Sequence, residues 1–120
     1  MSQSILISGG TLANGKKSDL LIKDGLIAEI AEKIEDKDAK RIDASHSIVL
    51  PGLVDLHTHL REPGREDAET VESGSRAGVK GGFTALSAMA NTSPVADTAG
   101  VVEQVYRLGQ SAGLLDVFPI

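Results

Sequence analysis

There is no cysteine in the 120 residues and no tryptophan, and aromatic residues make up only 2%. The first absence removes disulfide frameworks, thiolate metal sites and cysteine nucleophiles together, so any metal ion has to be held by His, Asp, Glu or a modified side chain. It also fits a reducing compartment. Scarce aromatics argue against base-stacking surfaces and large aromatic interface anchors. No apolar run approaches the ~20 residues that cross a bilayer, and Met1-Ser2-Gln3-Ser4 lacks the basic residues of a leader. Positive charge is short as well. Twelve Lys and Arg stand against 17 Asp and Glu, a formal net charge of −5, which speaks against a general electrostatic hold on nucleic acid or anionic membranes. What is present is ordinary for a folded protein, with 41% apolar and 24% charged residues. The expectation is a soluble, cytoplasmic protein that acts on a small molecule.

Along the first fifty or so positions, short strands alternate with tight turns. Ile5-Leu6-Ile7, Asp19-Leu20-Leu21-Ile22-Lys23 and Leu26-Ile27-Ala28-Glu29-Ile30 are separated by Gly9-Gly10, Asn14-Gly15 and Asp24-Gly25. Asp24-Gly25 between two apolar runs predicts a two-residue hairpin, because such a turn needs positive φ. Glu32 to Arg41 is dense in charge and reads as a solvated connection, followed by short strands at Arg41-Ile42-Asp43 and Ser47-Ile48-Val49-Leu50. Pro51-Gly52 marks a boundary, giving a small β-unit over 1–51 and a second region over 52–120. There the pattern becomes a strand at Leu53–His57, a helix over Arg65–Lys80 closed by Gly81-Gly82, and a strand at Phe83–Met89. A second helix over Thr98–Ser111, with Val101, Val102, Val105 and Leu108 on one face, and a strand over Leu114–Ile120 follow. This β-α-β-α-β order implies a parallel sheet with right-handed crossovers, in a doubly wound sheet or a (β/α) barrel. Apolar Val117, Phe118 and Ile120 end the chain on a parallel strand, which predicts that it is the N-terminal part of a longer protein.

His57 and His59 stand two apart at the end of the strand after the boundary, where their side chains share a face and can converge on one ion. Spacing alone fits two polar residues at a strand end equally well. Position favours ligands, because the carboxyl ends of parallel strands face the loops where sites are built. Asp55 falls on the same face by alternation and is positioned either to accept a proton from an imidazole, fixing its tautomer, or to bond the backbone. Arg61 follows in the Pro- and Gly-stiffened Leu60-Arg61-Glu62-Pro63-Gly64. Its planar fork suits a substrate carboxylate, and the alternative is a solvated pair with Glu62. Asn91 ends the next strand, where an amide can orient a carboxylate or simply form a turn. His46 lies before the boundary and is assigned to the surface of the β-unit.

Taken together, Asp55-Leu56-His57-Thr58-His59-Leu60-Arg61-Glu62-Pro63-Gly64 with its preceding Pro51-Gly52-Leu53-Val54, then Gly81-Gly82-Phe83-Thr84 and Met89-Ala90-Asn91-Thr92, resembles the N-terminal third of a dihydroorotase. More broadly it is similar to the cyclic amidohydrolases of the metal-dependent amidohydrolase superfamily. The resemblance implies an α/β fold, the N-terminal portion of a (β/α)8 TIM-like barrel preceded by part of a small β-sandwich. It also implies zinc, one ion or two, with His57 and His59 as ligands. Arg61 and Asn91 would hold the substrate's α-carboxylate. The implied reaction is reversible cyclisation of N-carbamoyl-L-aspartate to L-dihydroorotate in pyrimidine biosynthesis. The remaining ligands and the proton-shuttling aspartate are expected beyond Ile120, so no catalytic residue is assigned within these residues and they should turn over nothing alone. Ala90 departs from the proline common in relatives.

Arg61 favours dihydroorotase over hydantoinase and allantoinase relatives, whose equivalent loops usually differ. A non-catalytic dihydroorotase-like subunit that scaffolds aspartate transcarbamoylase is a further alternative, weakened by the presence of His57, His59 and Arg61. A binding domain with an incidental histidine pair is the last. A homo-oligomer, with aspartate transcarbamoylase as a candidate partner, completes the expectations.

Overall fold

The computed structural model describes residues 4–120; Met1, Ser2 and Gln3, part of the leader reading and of the 1–51 region, lie outside the described residues. The chain divides into two compact units, Met1–Pro51 and Gly52–Ile120. No helix among the described residues is long and apolar enough to cross a membrane.

The first unit holds β1 (Ile5–Leu12), β2 (Lys17–Lys23), β3 (Leu26–Ala31), β4 (Lys40–Asp43) and β5 (Ile48–Val49). They form one sheet in the order β3-β2-β1-β4, with β5 also paired to β1. Asp24 and Gly25 turn the β2–β3 hairpin with φ of 51° and 78°, the mirror-image turn that matches strand twist. A sequence of short strands and turns suggests hairpins throughout, yet β4 and β5 both run parallel to β1. The charged stretch after β3 is the crossover that makes this possible, and local pattern carries no information about such a return. Leu6, Leu21 and Ile34 form the buried cluster, flanked by Ala31 and Ala39. Asp19 is buried among them and acts as a clamp. One carboxylate oxygen accepts the N–H of Gly9 at 2.7 Å and the other that of Ile34 at 3.0 Å. The Ile34 amide, then that of Gly9 and the nearby Arg41 and Lys33, hold its carboxyl below the usual range against the opposing effect of burial.

The second unit holds β6 (Leu53–Thr58), α1 (Val71–Lys80), β7 (Phe83–Ala88), α2 (Ala99–Ala112) and β8 (Asp116–Pro119). The strands are parallel in the order β6-β7-β8. Each crossover adds a strand on the same side, an order shared by a (β/α) barrel and by one half of a doubly wound sheet. This is the α/β winding of the N-terminal portion of a (β/α)8 barrel. α1 begins at Val71, six residues after the Arg65 expected from composition. The delay has a cause in side-chain chemistry. Thr70 and Ser73 form a reciprocal cap, and Glu62 accepts the N–H of Val71 at 2.8 Å, so the first-turn donors are satisfied only from Thr70 onward. Residues 65–69 instead turn on the carbonyl of Arg65.

Leu60, Val71, Leu86, Ala88, Val105 and Val117 form the core between the sheet and its two helices, with Phe83, Leu108 and Leu115 packed on it. Burial of each large member stabilises by about 1.5–3 kcal/mol. The opposite face of the sheet is bare: Val54, Leu56 and Phe118 are 56%, 73% and 51% exposed. The helices thus fix the strands from one side and leave the carboxyl ends of β6 and β7 open.

Candidate metal centre

Strict alternation along β6 would put Asp55, His57 and His59 on one face. The pairing with β7 breaks that alternation. Asp55 aligns with Leu86 and Thr58 with Ala88, three residues on one strand against two on the other, so a bulge intervenes. Asp55 and Thr58 therefore both turn to the side of the buried Leu86 and Ala88, lining a hollow with Leu60, Glu69 and Gly74. The Thr58 hydroxyl is buried there without a partner. Asp55 accepts the backbone N–H of His57 at 2.9 Å. Of the two roles expected for Asp55, the backbone bond is the one seen here, where it spans the bulge.

His57 is left on the open side, and His59 lies just past the strand's last residue. Their rings are nearly edge-on, with centroids 5.0 Å apart and planes at 64°. Two imidazoles bound to one tetrahedral ion at ~2.0–2.1 Å place each centroid ~3 Å from it and the two centroids ~5 Å apart. The centroid separation is compatible with two of the four ligands of one ion. The pair is no more than half of such a set, because among the described residues no group of three or more His, Asp or Glu side chains could hold an ion.

Asn91 reaches this pair from the loop after β7. Its Oδ1 lies 2.9 Å from His59 Nδ1. The loops following β6 and β7 are fastened to one another. Pro63 O accepts the N–H of Ser93 at 2.9 Å and Ala90 O that of Ala96 at 2.9 Å, while the Thr92 hydroxyl donates to Pro94 O at 2.7 Å. Gly64, at φ 105°, sits so close to Ser93 that a Cβ would fall 2.2 Å from the Ser93 carbonyl oxygen. No L side chain fits there. Met89 N–H donates to Thr58 O at 2.9 Å, tying the two strand ends beneath the loops.

Arg61 is exposed, and no described side chain forms an ion pair with it. Glu62, the alternative partner, is committed to the Val71 amide. The guanidinium is thus available for an anion. His46 is exposed in the first unit, between β4 and β5, away from any grouping of ligands. Sequence reasoning named both histidines and Asn91 as candidates and missed that Asn91 touches His59. The two are 32 positions apart, and the only sequence signal was that both end adjacent parallel strands.

A model of the Dihydro-orotase-like family matches residues 46–119. The chain is 55% identical over 118 residues to the dihydroorotase of Leifsonia xyli subsp. xyli, an alignment covering 98% of this chain and 27% of that relative. It is 54% identical over 115 residues to the dihydroorotase of Streptomyces coelicolor, covering 96% and 27%. Among solved structures it is similar to the L-hydantoinase (dihydropyrimidinase) of Arthrobacter aurescens, with a TM-score of 0.77 at 28% identity over 91% of this chain and 25% of that one. The chain therefore spans 27–29% of the length of the curated relatives it matches.

Proposed function

The chain belongs to the dihydro-orotase-like family, and from that premise we propose that it supplies the first half of the metal and carboxylate site of a dihydroorotase. The reaction is the reversible cyclisation of N-carbamoyl-L-aspartate to L-dihydroorotate in pyrimidine biosynthesis, with zinc, one ion or two, as cofactor. The observation that carries this reading is the His57–His59 pair at 5.0 Å, followed two residues along the chain by an exposed, unpaired Arg61. Identity of 55% to a dihydroorotase against 28% to a hydantoinase favours the first substrate class.

His57 and His59 would hold the ion. A bound zinc ion supplies Lewis acidity toward the amide carbonyl and water of near-neutral pKa. The residues of this chain do the positioning. Arg61 offers two parallel N–H donors to the substrate's α-carboxylate, and the Asn91 amide nitrogen adds another. Held this way, the reacting carbonyl stays over the histidine pair, replacing a chance encounter with a fixed approach. The proton-shuttling aspartate and the other ligands belong, in this proposal, to residues outside these 120.

Homo-oligomerisation and an association with aspartate transcarbamoylase join the same proposal and are read out by sedimentation and co-purification. A cytoplasmic location is part of the same proposal and is read out by cell fractionation. The test is an assay of these residues within a chain of the relatives' length. Consumption of dihydroorotate by the zinc-loaded protein is the expected result. Consumption of hydantoin or allantoin in its place, or of none of the three, overturns the reading.

A further inference from the structure

We propose that Asn91 is a positioning residue for His59: its carbonyl oxygen locks the imidazole in the Nδ1–H tautomer while its amide nitrogen remains free for an anion. An amide oxygen can only accept, so the ring nitrogen 2.9 Å from it has to be the donor. A neutral ring protonated at Nδ1 carries its single lone pair on Nε2. Asn91 therefore decides which nitrogen of His59 is available to a cation.

In many metal sites a carboxylate or a backbone carbonyl does this work. Here Asp55 accepts the His57 amide N–H, and the side chain in contact with the His59 ring nitrogen is that of Asn91. A neutral amide has a specific advantage at this place. A carboxylate against His59 would put a negative charge two positions along the chain from the exposed Arg61, in the site proposed to take an acidic substrate, and would oppose its binding. Asn91 braces the ring without that charge. Its Nδ2 still carries two hydrogens that no described residue takes up. One side chain thus links the cation side of the site to the anion side.

Its orientation is not left to chance. The Pro63–Ser93 and Ala90–Ala96 backbone hydrogen bonds bracket Asn91, and the Gly64–Ser93 approach sets how far its loop stands from that of His59.

This inference rests on the proposed metal role of His59, and its test needs neither substrate nor turnover. Long-range 1H–15N spectra of the metal-free protein, recorded above the imidazole titration, report which ring nitrogen carries hydrogen. The expected result is an Nδ1–H pattern for His59 in the wild type and in Asn91→Asp, which keeps an acceptor. Asn91→Ala should move to the Nε2–H pattern and weaken zinc binding, measured by competition with a chromophoric chelator, by about 10–100-fold. In a chain of the relatives' length, Asn91→Asp should keep its zinc but show a raised KM for the carboxylate substrate. An unchanged tautomer and zinc affinity in Asn91→Ala overturns the proposal. Equal loss in both variants does so too, since it would assign Asn91 to loop shape alone. Neither result touches the dihydroorotase reading, which fails only if the zinc-loaded wild type leaves dihydroorotate unconsumed.

Discussion

Asp19 and the histidine pair are both polar features in a largely apolar setting, and they are built in opposite ways. Asp19 is 5% exposed, and both of its oxygens are spent on backbone amides. His57, His59 and Arg61 are exposed, and apart from the Asn91 contact their side chains have no hydrogen-bond partner in the described residues. A polar group whose hydrogen bonds are all satisfied by its own chain has nothing left to offer a ligand. Convergent groups with unused donors and lone pairs, raised on a rigid strand end, do. Satisfaction separates scaffold from site here more cleanly than residue type, since an aspartate appears on the structural side in both units.

That contrast can be broken from either end. The largest effect is expected from His57→Ala in a chain of the relatives' length. Activity should fall by more than the roughly 100-fold that loss of an outer partner brings, with zinc content reduced and the melting temperature nearly unchanged. Asp19→Ala should do the reverse. Two buried amides lose a charged acceptor, and denaturant melting should show a loss of about 3 kcal/mol with zinc content intact. The Asp19 clamp also has a pH signature. Its folded pKa is lowered below the unfolded value, so its contribution is fully present above about pH 4 and disappears as pH falls through the lower, folded value. Wild type should therefore lose stability faster than Asp19→Asn across that acid window, and parallel acid titrations of the two would remove the clamp from the account.

Gly64→Ala tests the border between the two classes. A Cβ there meets the Ser93 carbonyl, and the backbone is at positive φ, so a penalty of about 1–3 kcal/mol is expected. Because the loops it separates carry His59 and Asn91, zinc affinity should fall as well. A fall in stability alone would place Gly64 with the scaffold. Thr70→Ala should have the smallest effect, about 1 kcal/mol from the lost α1 cap, with no change in zinc binding.

The parts of the molecule that were legible in the sequence are those governed by local rules. Asp24-Gly25 specifies its hairpin through backbone φ, and the valines of α2 mark its buried face through helical period. The β-α-β-α-β order follows from the same periodicities. What the sequence hid depends on partners far along the chain. The parallel return of β4 and β5 needs β1, the late start of α1 needs Glu62, and the bulge that turns Asp55 away from the histidines needs the register of β7. Alternation is a rule about an undisturbed strand, and the strand that bears the site is disturbed. The irregularity spans His57 itself, so which motif residues share a face is set by the pairing with β7 and not by spacing along β6.

The backbone hydrogen bond from Ser93 to the carbonyl of Pro63, with the His59–Asn91 contact, ties two connections into one unit. Transplanting residues 60–65 from a distant homologue without residues 91–96 should therefore yield a correctly wound scaffold carrying a dislocated site. Anyone wishing to retune this centre for a different acid inherits both segments or neither.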